Sequence, residues 1–117
     1  MQASDSVVGG DGNDVLRVVT DGVPLAGAGG FKLVGVEAIE VQSQAVGGTQ
    51  LGLENAGALK TLRSSVSGTD IALQNVGAIA AIEVVDSVQS ASLSVNYATA
   101  AVSGKADAQS ITLSNAK

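Results

Sequence analysis

The chain has 117 residues and a formal net charge of −5, and its 45% hydrophobic content includes one Phe, one Tyr and no Trp. Six scattered Lys and Arg are too few to neutralise phosphates, which argues against nucleic acid as a partner. With neither Cys nor His there can be no disulfide, no thiolate or imidazole metal site and no Ser/His/Asp arrangement.

Val, Ile, Leu and Ala must fill the interior without aromatic anchors, which suits a narrow core of similar stacked layers. Fifteen Gly against a single Pro call for many tight bends made by residues that tolerate positive φ. No 18-residue apolar run or N-terminal signal pattern is seen, so membrane insertion is not expected. That leaves a cytoplasmic protein, one exported without an N-terminal signal, or a fragment.

The first element is Gly9-Gly10-Asp11-Gly12-Asn13-Asp14-Val15-Leu16-Arg17, which matches the nonapeptide G-G-x-G-x-D-x-U-x at every specified position. It resembles the calcium-binding repeat of RTX proteins. In that reading the glycines let backbone carbonyls converge, Asp14 supplies a carboxylate and Leu16 anchors the strand in the core. Hard oxygen donors suit Ca2+, which takes about six to eight ligands in flexible geometry. The resemblance assigns Gly9, Gly10, Asp11, Gly12, Asn13 and Asp14 to a metal site, Asp11 and Asn13 being the weaker candidates because their side chains can face solvent. The bland alternative is a Gly-rich turn with no ion. Such a site is normally completed by a second turn one coil away, yet the nonapeptide occurs once. Gly27-Ala28-Gly29-Gly30 and Gly47-Gly48-Thr49-Gln50 are bends that lack the Asp, which leaves Asp5, Asp21 or a segment outside the chain to finish the site. No βαβ unit follows, so a dinucleotide loop is the wrong reading.

Beyond residue 30 the chain repeats. Residues 46–59 lie over residues 66–79 at a period of 20 with seven of 14 positions identical. In the same phase, Phe31-Lys32-Leu33 precedes Leu51-Gly52-Leu53, and Leu93-Ser94-Val95 and Ile111-Thr112-Leu113-Ser114-Asn115 follow. A second apolar column runs through Ile39, Leu59 and Ile79, with Val41, Leu62 and Ile82 behind and Val102 continuing it. Period-two alternation sends one set of side chains inward. A lone coil cannot bury its apolar face, so coils must stack. The expected fold is therefore all-β, a right-handed parallel β-solenoid (β-helix or β-roll) with coils of about 20 residues. Asn55, Asn75 and Asn115 fall after strands and are expected to form an inward amide ladder. Helices over 54–63 and 76–83 have the right i, i+3 spacing, but interior glycines and Val84-Val85 oppose them. Ile111–Asn115 opens a coil close to the last residue with no polar cap, as expected of a piece of a longer protein.

Three segments carry a wider resemblance: the nonapeptide, Leu33-Val34-Gly35-Val36-Glu37-Ala38-Ile39-Glu40-Val41, and Leu53-Glu54-Asn55-Ala56-Gly57-Ala58-Leu59-Lys60-Thr61-Leu62. Together they are similar to type I-secreted RTX proteins, and more narrowly to bacterial surface-layer (S-layer) and adhesin members. The resemblance covers residues 7–117. It implies a calcium-binding turn and spacer over 1–30 and solenoid coils over 31–117, in one continuous domain. It further implies a secreted, extracellular, cell-surface protein that self-assembles with its own copies and contacts surface polysaccharide. Glu37, Glu40, Glu54, Glu83 and Asp86 are candidate outward carboxylates for lattice contacts or further ions. An enzyme is not expected: Glu37/Glu40 and Glu83/Asp86 are the only close carboxylate pairs, without aromatic, His or in-register basic partners. A passive spacer in a larger adhesin, toxin or secreted hydrolase is the alternative.

Overall fold

The computed structural model describes residues 5–21, 25–28, 31–88 and 90–117, with the strand alone described over 25–28. The eleven strands are β1 Ser6–Val8, β2 Val15–Thr20, β3 Leu25–Ala28, β4 Lys32–Val34, β5 Ala38–Ser43, β6 Thr49–Gly52, β7 Thr61–Ser65, β8 Ile71–Val76, β9 Ala81–Val85, β10 Leu93–Tyr97 and β11 Ile111–Ser114. All strand pairs are parallel, and each strand pairs with strands of neighbouring coils. One sheet runs β2-β5-β7-β9-β11, a second runs β3-β6-β8-β10, and β1 pairs with β4. The fold is a parallel β-solenoid of about four turns. Among the described residues the single helical element is a 3-10 turn, Thr99–Val102. In place of helices, residues 54–60 and 77–80 form turns and bends that lead into β7 and β9, as their glycines favour.

The core follows from in-out alternation. Leu16, Ile39, Leu62, Ile82 and Ile111 are register partners in the five-stranded sheet. Leu51, Leu73 and Val95 do the same in the four-stranded one. Burial along the first column changes with position: Ile39 and Leu62 are fully buried, whereas Ile111 at the last coil is 61% exposed and Leu113 beside it 66%. A side chain pointing inward is dry only when another coil stacks on both sides.

The coils are not uniform 20-residue units. Steps down the Leu16 column are 23, 23, 20 and 29 residues, and those from Leu51 to Leu73 to Val95 are 22. β6 therefore meets β8 as Thr49 with Ile71 and Leu51 with Leu73, two residues away from the alignment of identical residues. A two-residue slip leaves every side chain on its own face, so the apolar pattern tolerates it. Lys32–Val34 pairs with Ser6–Val8 instead of sharing a column with Leu51–Leu53, and Ile111–Ser114 pairs with β9 and not with β10. Val102 lies in the 3-10 turn and is exposed. Of the bend expected at Gly27–Gly30, Gly27 and Ala28 belong to β3, and Gly29 and Gly30 lie outside the described residues.

The asparagine ladder is not formed. Asn55, Asn75 and Asn115 are all exposed, and Asn75 and Asn115 hold left-handed φ of 55° and 50°. Asn115 instead donates from Nδ2 to Asp86 Oδ1 at 2.7 Å. The interior polar ladder consists of hydroxyls at the bend between the two large sheets. Ser43 Oγ bonds Thr49 Oγ1 (2.8 Å) and Thr69 Oγ1 (2.7 Å), and Thr20 Oγ1 bonds Thr49 Oγ1 (2.6 Å). Ser67 Oγ accepts from Ser43 N at 3.1 Å and donates to Val41 O at 3.3 Å. Short hydroxyls can satisfy backbone groups inside a narrow bend, as buried polar groups demand. The chain leaves the five-stranded sheet through Val66, Asp86 and Asn115 in successive coils, each near φ +50°. Val66 is the costly member, since a β-branched residue in this region is an outlier, at about 1–2 kcal/mol.

Outward-facing Arg17, Glu40, Arg63 and Glu83 are register partners of alternating sign. Arg17 Nε lies 3.3 Å from Glu40 Oε1, Arg63 Nη1 3.5 Å from Glu40 Oε2, and Arg63 Nε 3.0 Å from Glu83 Oε2. At this exposure each pair contributes about 0.2–1 kcal/mol. Two of the carboxylates expected to be free for lattice contacts are thus neutralised within the chain, by basic partners that do stand in register.

Candidate metal site

The nonapeptide turn is set by its contact with the next coil. Gly9 N donates to Val34 O at 2.9 Å as β1 ends. Gly10 and Gly12 then take φ of 99° and 125°, values open to glycine and strained for other residues. Gly9 is required for space: a Cβ there would lie 2.0 Å from Gly35 O and 2.7 Å from Asp14 Cβ. Gly35, at φ 60°, faces Gly10 O in return. The turn that stacks on the nonapeptide is therefore Gly35-Val36-Glu37. The Gly47–Gly48 bend sits elsewhere, against Asp70 O.

Asp14 closes the turn. Its carbonyl accepts from Glu37 N and Ala38 N, both at 3.1 Å, and its own N–H donates to Glu37 Oε2 at 2.9 Å. The side chain folds over Gly9, half-buried. Asp14 Oδ2 is shut away from solvent with no hydrogen-bond partner, and no other side-chain oxygen or nitrogen among the described residues is in that position. A buried carboxylate oxygen without a donor is costly and is normally relieved by a donor or a cation. A carboxylate is a hard oxygen donor of the kind that fits Ca2+, and the chain has no Cys or His to favour zinc or copper.

Asp11, Gly12 and Asn13 form the exposed outer arc of the turn, and Gly9 and Gly10 are exposed as well. Asp5 and Asp21, expected as completing ligands, do not complete a group: among the described residues no three acidic side chains converge. The remaining outward carboxylates are dispersed. Glu54 is exposed, Asp86 pairs with Asn115, and Glu37 is half-buried on Asp14. Asp70 lines a shallow polar depression with Gly47, Gly48, Thr49, Ser92 and Ser94. The Ser92 hydroxyl (2.8 Å) and then its N–H (2.9 Å) donate to Asp70 Oδ1 and hold its carboxyl below the usual range, so it is already served by protein donors.

Gly35 and Glu37, which pack on the nonapeptide turn, are residues that a search for glycine turns passes over. Their signal is a parallel at 23 residues: Asp14-Val15-Leu16-Arg17-Val18 and Glu37-Ala38-Ile39-Glu40-Val41 both put an acid before an alternating strand, and these strands pair in that register. No helix among the described residues is long and apolar enough to cross a membrane. Compared with protein-family models, curated proteins and solved structures, the chain matches none.

Proposed function

We propose that this chain is a non-catalytic, calcium-ordered structural module of a secreted bacterial surface protein, in which Asp14 ligates the ion and coil stacking carries the load of assembly. The observation that supports it best is the buried, partnerless Asp14 Oδ2 inside a glycine turn that resembles a calcium-binding repeat. The pairing of Glu40 and Glu83 with arginines agrees with a structural role, since neither carboxylate is left for acid–base work. When bound, Ca2+ would supply positive charge beside the buried Asp14 Oδ2. The chain's own residues hold the turn: Gly9 lets the two coils touch, Asp14 O ties Glu37 and Ala38, and Leu16 roots the strand.

With so few carboxylates the affinity falls in the range of extracellular modules, a Kd of about 10⁻⁴ to 10⁻³ M. At a hundredfold excess over Kd, binding to the folded form alone adds about 2.7 kcal/mol. For a domain of this size that raises the melting temperature by roughly 10 °C. Thermal unfolding followed by circular dichroism in calcium chloride and in chelator measures this directly. The expected result is a rise in calcium that Asp14→Ala largely abolishes. Equal melting temperatures in calcium and chelator for the unsubstituted protein would remove the site.

A further inference from the structure

The register that joins β2 to β5 places Asp14 and Glu37 one above the other, each just before the paired residues Val15 and Ala38. Neighbouring strands lie about 4.8 Å apart, and like charges directly opposed across them repel. On the outer face the fold avoids this by alternating sign from coil to coil through Arg17, Glu40, Arg63 and Glu83. Asp14 and Glu37 break the rule. Two acids stack, the described ion pairs include neither, and Asp14 Oδ2 is buried without a donor. Glu37 Oε2 is taken by the Asp14 N–H, which fixes the Glu37 carboxylate against the nonapeptide turn.

We infer that Glu37 is a second carboxylate ligand of the same ion, so that one nonapeptide turn and the Gly35–Glu37 turn of the next coil form a single site clamping two coils. This rests on the reading that Asp14 holds calcium. A divalent cation neutralises both stacked charges, and Glu37 takes the place of the second nonapeptide that the sequence lacks. Because the ligands come from different coils, binding resists their separation as well as ordering one turn.

Glu37→Gln is the informative variant, since the amide oxygen still accepts from Asp14 N–H while the charge is gone. In chelator it is expected to melt at or above the unsubstituted protein, because the repulsion is relieved. In calcium chloride the rise in melting temperature should fall to about half or less, and the calorimetric Kd should weaken at least tenfold. Glu54→Gln, the same charge change at an exposed turn position, should respond like the unsubstituted chain. An unchanged calcium response in Glu37→Gln alongside its loss in Asp14→Asn would overturn the role of Glu37 and leave the Asp14 site standing. No response in any protein, the unsubstituted one included, would overturn both readings. Should Glu37→Gln fail to fold, carboxyl ¹³C shifts of the unsubstituted protein decide the matter. Asp14 and Glu37 should titrate with calcium at one midpoint, and a Glu37 signal that stays still rules it out as a ligand.

Discussion

Leu62→Ala is expected to lower the free energy of unfolding by about 2–5 kcal/mol, while Ile111→Ala in the same register column lowers it by less than about 1 kcal/mol. Chemically the two truncations are close. They differ in what surrounds them: Leu62 is fully buried between Ile39 and Ile82, whereas Ile111 has Ile82 on one side and solvent on the other. Removing Leu62 leaves a cavity that the stacked strands cannot collapse to fill, because their spacing is fixed by the hydrogen bonds between coils. Urea denaturation of both variants, fitted with a common slope, measures the contrast. Similar losses at the two positions would mean that the last coil is covered in solution by something that buries Ile111.

Gly9→Ala should cost about 3 kcal/mol, the upper end of overpacking effects. The reason is contact and not backbone conformation: the new methyl would sit 2.0 Å from Gly35 O, a backbone atom that moves only if the second coil moves with it. Gly57→Ala is the control. Nothing lies within 4 Å of a Cβ at Gly57, so that change should stay within about 0.5 kcal/mol. Gly9→Ala should also lose its calcium response, since it separates the turn carrying Asp14 from the coil carrying Glu37. A folded Gly9→Ala protein with unchanged stability would show that the first two coils are not in the contact described.

The architecture was legible because aliphatic alternation, glycine spacing and the absence of aromatic bulk all point to stacked parallel coils. The register was not. Residues 46–59 and 66–79 match best at a period of 20, yet Leu51 stacks on Leu73 at 22. Alternation has a period of two, so in-out patterning cannot tell these registers apart, and the choice falls to the lengths of the bends. The expected amide ladder fails for a related reason: Asn75, within β8, and Asn115, just past β11, have left-handed backbone and are exposed, and the interior bend is filled by Ser43, Thr49 and Ser67. Around the candidate site, the nonapeptide singles out Asp14, whereas Glu37 reads in the sequence only as an outward carboxylate: its turn has one glycine, and its contact with Asp14 exists only through strand pairing.

Amide hydrogen exchange of the unsubstituted protein with and without calcium tests the central claim most directly. The N–H groups of Gly9, Asp14, Glu37 and Ala38 all bond across the first two coils. The account predicts that calcium slows these four more than the amides of β8 and β10, by tenfold or more at about 10 mM calcium. If the four exchange at the same rate in calcium as in chelator, no ion clamps the coils at Asp14.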